Sequence, residues 1–307
     1  MNTRKLTPLL LSLTFVFSCD EAIENDLVEI PTPEPIFMDL SSYQVQSITG
    51  RSGADQYAIL MAEYVTNGES GEMGNTIFFQ DLGNKQLDGD FVPGLDLDGT
   101  SDVSYYIDDN RPSTGLSLDQ TSAAINAAMD TWDEVSCSDL GMTQLPSDGR
   151  ATGFVAEIFG FGGSLAYVAD VTHSGWMPAS FFDLLAPGGS NFILGVTFTI
   201  VFTDEEGNLV DTDNNNKFDV AWREIYYNDA FPWNIGATFD VETIALHEAG
   251  HGLSQAHFGK AFLSGGNGKL HFAPRAVMNA AYSGVQTSIS QTDNGGHCSN
   301  WGQWPNN

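Results

Sequence analysis

The sequence predicts an α/β (α+β) layer fold, and three observations carry it. A strand-like run at Val103–Ile107 leads into a capped amphipathic helix. Further segments rich in β-branched and aromatic residues follow. A second helix then starts at Asp240. Strand, helix, strands and helix in that order describe helices layered on a sheet.

Each element has a local reason. Val103–Ile107 reads Val-Ser-Tyr-Tyr-Ile and precedes the turn residues Asp108, Asp109, Asn110 and Pro112. Ser117 with Gln120 three residues on forms a capping box. Leu118, Ile125, Ala128, Met129 and Trp132 then recur at helical spacing. Residues Phe154–Ile158, 165–171 and 192–202 have strand composition, with glycines at 160, 162 and 163 marking a turn. The run 192–202 is apolar almost throughout, which predicts a central strand covered on both faces. Strand-like pieces also occur at 57–64 and 76–79. Asp240 is a good N-cap for the last helix.

With 307 residues and 42% hydrophobic content, the chain can bury a sizeable core. Lys and Arg total 11 against 40 Asp and Glu, a formal charge of −29. That balance excludes phosphate-rich partners such as nucleic acid. It suits an extracellular protein in a salty or calcium-rich medium, although acidity alone also confers solubility.

The first 18 residues have signal-peptide proportions: Arg4 and Lys5, then an apolar run over 6–17 too short to span a bilayer. Ser18 before Cys19 resembles the lipobox of bacterial lipoproteins. By that resemblance Cys19 is lipidated and the protein sits on the cell envelope, with a lipid anchor as its only membrane contact. Secretion with cleavage nearby is the alternative. If Cys19 carries lipid, Cys137 and Cys298 are left to form a disulfide, which an exported protein permits, or to stay as two thiols. Residues 19–42, acidic and then proline-rich, read as a tether. Residues 43–98 read as an N-terminal extension or pro-segment, and 99–307 as the main domain.

The chemistry concentrates in His247-Glu248-Ala249-Gly250-His251. Histidines four apart share one helical face and can share a metal. Glu248, next to the first, can position a water and take its proton. A catalytic zinc needs three protein ligands and an open position. No glutamate follows Glu248, so the third ligand falls to histidine: His257, ten residues past His247, or its competitors His271 and His297.

Here the sequence resembles the metzincin zinc proteases, and within them the matrixins. Their motif is His-Glu-x-x-His-x-x-Gly-x-x-His followed by a methionine turn. The chain reads His247-Glu248-Ala249-Gly250-His251-Gly252-Leu253-Ser254-Gln255-Ala256-His257, with Ala276-Val277-Met278-Asn279 in place of the turn. The resemblance spans about 200 residues, from near Val103 to the C-terminus. It implies a mixed twisted sheet, a long active-site helix and a mostly irregular C-terminal subdomain. It implies His247, His251 and His257 as zinc ligands, Glu248 as general base and Met278 beneath the site. Ser254 departs from the family's glycine, and positive φ there costs a non-glycine residue about 1 kcal/mol. The family's substrates lie along an edge strand, for which residues 165–168 are the expectation, with ordinary core sheet the competing one. Tyr282, four after Met278, is displaced from the family's extra tyrosine ligand and reads as packing.

Residues 211–219 place Asp211, Asp213, Asn215 and Asp219 at spacings that suit a calcium ion, with Lys217 contributing its backbone carbonyl. A solvated turn is the competing reading. Asn216 stands at the usual glycine position, Trp222 at the usual glutamate, and Glu224 is a substitute for the latter. Asp96, Asp98 and Asp102 form a weaker candidate. His173 is expected to pack or hydrogen-bond rather than bind metal.

The expected function is therefore an exported, monomeric zinc endopeptidase acting on proteins or peptides. Two alternatives stand. One is a calcium-stabilised extracellular binding or adhesion module with a non-catalytic zinc site. The other is a metal hydrolase acting on a non-peptide bond. Latency is open: no cysteine lies between Cys19 and Cys137 to cap the metal with a thiolate, whereas an aspartate such as Asp88, Asp90 or Asp96 could.

Overall fold

A computed structural model describes residues 27–41, 43, 56–69, 71–80, 89–95 and 97–306. The lipobox cysteine Cys19, and Asp88 and Asp96, lie outside them. In chain order the elements are β1 (Leu27–Ile30), β2 (Ile36–Phe37), β3 (Gln56–Thr66), β4 (Asn75–Phe78), β5 (Gly89–Asp90) and β6 (Val103–Ile107). Next come α1 (Leu118–Asp133), β7 (Met142–Gln144), α2 (Phe154–Ile158), β8 (Val171–Met177), α3 (Ala179–Leu185), β9 (Ile193–Thr203) and β10 (Phe218–Asn228). The chain ends with α4 (Val241–Gly252), β11 (Lys260–Ser264), β12 (Leu270–Ala273) and α5 (Gln291–Trp301).

The fold is mixed α/β, built on a nine-stranded mixed sheet of order β2-β4-β3-β9-β10-β8-β6-β7, with β5 beside the start of β10. β9 runs antiparallel to both its neighbours, β3 and β10, while β8 and β6 run parallel to β10 and to each other. The helices α1 and α4 cover one face. On the other face α2 and α3 cover the sheet through Phe154, Phe181 and Phe182. A small sheet of β1, β11 and β12 stands apart. Among the described residues no helix is long and apolar enough to cross a membrane.

The capped helix forms as its pattern requires. Ser117 accepts from the Gln120 amide, and the Gln120 side chain accepts from the Ser117 amide. Ile125, Ala128, Met129 and Trp132 are buried, and the Trp132 indole donates to the Leu246 carbonyl at 2.9 Å, clamping α1 to α4. β9 is central and buried, its even-numbered Val196, Phe198 and Ile200 facing α2 and α3. His173 is a packing residue. Its Nδ1 lies 2.8 Å from the Tyr227 hydroxyl, and full burial pushes its pKa down to about 3.

Two expectations fail. Phe154–Ile158 is the helix α2, not a strand. Its composition suits a strand, but the buried Glu224 carboxylate accepts from the free amides of Phe154 and Val155 at 2.7 and 3.0 Å. That interaction satisfies the first helical turn from 70 residues away. Glu224 is thereby committed and is no calcium ligand. Residues 165–171 are not a strand either; β8 begins only at Val171. Asp170 accepts from the Ser104 amide at 2.8 Å and the Tyr167 hydroxyl at 2.8 Å, bending the chain before it enters the sheet. Residues 165–168 lie outside every strand, so the expected substrate edge does not form there.

Two findings concern the N-terminal region. Residues 27–30 of the expected tether pair with β11. Within 43–98, β3 and β4 join the main sheet, and ten of the eleven residues of β3 pair with β9.

Candidate metal centre

The helix α4 begins where Asp240 accepts from the Thr243 amide at 2.9 Å. All of it but Glu242 is buried, so the histidine face looks inward. The helix ends at Gly252, and Ser254 adopts φ 64°. The Ser254 amide donates to the His251 carbonyl and the Gln255 amide to the Gly250 carbonyl, both at 3.0 Å. These are the two bonds of a Schellman ending. The turn sends the chain back so that His257 faces the helix.

The result is a near-equilateral triangle. The Nε2 atoms of His247, His251 and His257 are 3.1 Å apart on all three edges. His247 Nδ1 donates to the Val277 carbonyl at 2.7 Å and His251 Nδ1 to the Gln255 carbonyl at 2.6 Å. A carbonyl only accepts, so these two Nδ1 atoms carry the protons and the two Nε2 atoms present lone pairs. Converging lone pairs repel unless a cation sits between them. Three nitrogens on a tetrahedral zinc at about 2.0–2.1 Å stand about 3.3 Å apart, so the triangle fits. Among the described residues no other His, Cys, Asp or Glu joins the cluster. His271 is exposed on β12, and His297 stacks on Trp132, so neither competes.

Burial and the His251 ring push His247 and His257 well below the usual histidine range, which keeps them neutral and ready to ligate. At His251 burial acts the same way, but the Glu63 carboxylate 3.3 Å from Nδ1, the Glu248 carboxylate and the Gln255 carbonyl together raise the pKa. Glu248 is fully buried. Its Oε2 accepts from the Thr197 hydroxyl at 2.7 Å, while Oε1 makes no hydrogen bond of ordinary geometry. Burial raises its pKa to about 7, against the opposing pull of His251, Thr197 and the Val65 amide. A carboxyl that titrates near neutrality suits proton transfer.

Met278 lies beneath. A Cβ on Gly250 would collide with the Met278 sulfur, so the glycine inside the motif is set by this contact. The Asp293 carboxylate on α5 accepts from the amides of Val277 and Met278 at 3.0 and 3.1 Å, fixing the turn whose Val277 carbonyl orients His247. Tyr282 packs against Phe239.

No protein-family model matches the chain, and no curated protein does either. The donor set and its supports are therefore the basis for reading the site.

Ser254 has its own reason to replace glycine. The buried Arg223 donates to its hydroxyl and to the Gly252 carbonyl, both at 2.9 Å. Ser254→Gly would relieve about 1 kcal/mol of strain and lose a charge-assisted bond worth about 1.5–3 kcal/mol. A net loss of about 1 kcal/mol is expected in urea unfolding. A more stable variant would show that strain dominates.

Asp211, Asp213 and Asp219 bring carboxylate oxygens within 4.8 Å of one another. Asn214 and Asn216 take the left-handed conformation at φ 60° and 69°, as the loop requires of its asparagines. The Asn215 side-chain oxygen accepts from the Lys217 amide, and Asp90 joins the loop through Asn215 at 2.9 Å and Lys217 at 3.6 Å. Asp90 is therefore no cap on the metal. The acid of the N-terminal region that reaches the centre is Glu63, which local sequence reading missed. Its signal was a lone carboxylate inside the apolar run Ala58-Ile59-Leu60-Met61-Ala62-Glu63-Tyr64-Val65. Thr197 and Asp293 were missed as well. The Cys137–Cys298 disulfide is formed.

Proposed function

We propose that this chain is a zinc-dependent endopeptidase of the metzincin type, exported and active as a monomer on protein or peptide substrates. The observation that supports it most is the triangle of histidine Nε2 atoms beside the buried Glu248. Held by His247, His251 and His257, zinc supplies Lewis-acid polarisation of a carbonyl and of water. Glu248 takes the attacking water's proton and returns it to the leaving amine. Thr197 holds one Glu248 oxygen and leaves the other for this exchange. Gly195 keeps the space beside it, since a Cβ there would stand 2.9 Å from Glu248 Cγ and Oε1. Calcium, held by Asp211, Asp213 and Asp219 with Asn215 and the Lys217 carbonyl, serves as a structural ion.

A second reading is an extracellular binding module whose zinc is structural, and the complete burial of Glu248 favours it. Two chelators test both metals and separate the readings. A zinc-selective chelator should abolish hydrolysis of an unfolded protein, with recovery on adding zinc. A calcium-selective chelator should lower the thermal midpoint, because an ion bound only to the folded state stabilises it. Hydrolysis that survives zinc removal would eliminate the peptidase reading.

A further inference from the structure

The strand lying over the metal centre belongs to the chain itself. Glu63 and Val65 of β3 point toward α4, and their partners across the ladder are Thr197 and Gly195, the two β9 residues that touch Glu248. The other edge of β3 is held too. Thr66 pairs in parallel with Ala281, and its carbonyl accepts from the Tyr282 amide at 2.7 Å. Residues 63–66 are thus bound antiparallel to β9 on one side, while on the other Glu63 and Tyr64 pair with Thr76 and Asn75 of β4 and Thr66 pairs with Ala281. Val65 is buried in a niche with Ile244, His247, Val277 and Tyr282, and the cavity left there is only about 20 Å³. Gly74, in the hairpin that follows, donates to the Ala280 carbonyl at 2.6 Å. A Cβ on Gly74 would collide with the Tyr64 and Ala280 carbonyl oxygens and stand 2.8 Å from His257 Cε1.

An extended peptide added to a sheet edge is held this way, by main-chain bonds with one side chain in a pocket. We infer that β3 is a built-in occupant of the peptide groove: the full chain is self-covered, and the β3–β4 hairpin must withdraw before an extended peptide with a small aliphatic side chain at the Val65 position can enter. What the groove is for rests on the peptidase reading; the covering rests on the pairing of β3 alone.

The test uses the zinc-loaded full chain and a tripeptide hydroxamate, an extended backbone ending in a metal-binding group. Apparent affinity falls in proportion to the open fraction, so Val65→Asp and Ala62→Asp, the latter on the β3 face away from the histidines, should each bind the probe about tenfold or more tighter than wild type. In wild type, saturating probe should speed hydrogen exchange of the amides in 62–66. This last measurement needs no variant and stands even if both fail to fold. Equal binding by wild type and both folded variants, or binding by none of them, would overturn the covering. So would bound probe with unchanged exchange in 62–66. Tighter probe binding without cleavage of any peptide keeps the covering and removes the peptidase reading.

Discussion

Glu248→Gln is expected to lower peptide hydrolysis by on the order of a thousandfold, with zinc content unchanged. Glutamine keeps the shape beside Gly195 and an oxygen for the Thr197 hydroxyl, so the helix and its histidines have no cause to move. It cannot accept the water's proton at neutral pH. A thousandfold loss corresponds to about 4 kcal/mol of barrier. Folding stability should hold or rise, because the substitution removes an ionisable group from a fully buried position. Comparing the pair in the Ala62→Asp background as well prevents the covering strand from limiting the wild-type rate. Retention of zinc by metal analysis, together with a rate within about tenfold of wild type, would sink the role of Glu248.

What was readable in the sequence was what local spacing encodes. The pair His247 and His251 and the cap at Asp240 depend only on residues within the helix. The same holds for α1, where Ser117 and Gln120 satisfy each other. The Ser254 turn was readable as a question, and Arg223 on β10 supplies its answer. The failures share a cause, in that a distant group decides a local outcome. Phe154–Ile158 is helical because Glu224 reaches its amides. The bend before β8 follows from Asp170 bonding Ser104, across 66 residues. The expected edge at 165–168 fails because periodicity shows which residues are buried but not which strand lies beside which. The pairing of β3 with β9 joins residues distant in sequence, as in Val65 with Gly195, 130 residues apart. No local pattern carries that. The same pairing brings Glu63 to His251, a contact between residues 188 apart that lies outside any local pattern.

The other large effect is structural. Removing the disulfide with Cys137→Ser and Cys298→Ser is expected to cost up to about 5 kcal/mol, because the bridge closes a span of 161 residues. The bridge ties α5 to the loop after α1. Three side chains of α5 lean on the metal centre: Asp293 holds the Val277 and Met278 amides, His297 stacks on Trp132, and the Trp301 indole donates to the Leu253 carbonyl at 2.9 Å. Trp132 in turn bonds Leu246 of α4. The loss should therefore register at the site as well as globally. Freeing α5 loosens the Val277 carbonyl that orients His247, and removing such an outer partner typically weakens metal affinity by about 10- to 100-fold. Denaturant unfolding with metal present gives the first effect, and competition with a zinc chelator gives the second. A stability change below about 1 kcal/mol would mean that the reduced, unfolded chain is already compact enough to make the bridge redundant. Lost stability with unchanged zinc affinity would place α5 in the fold's cohesion and outside the support of the centre.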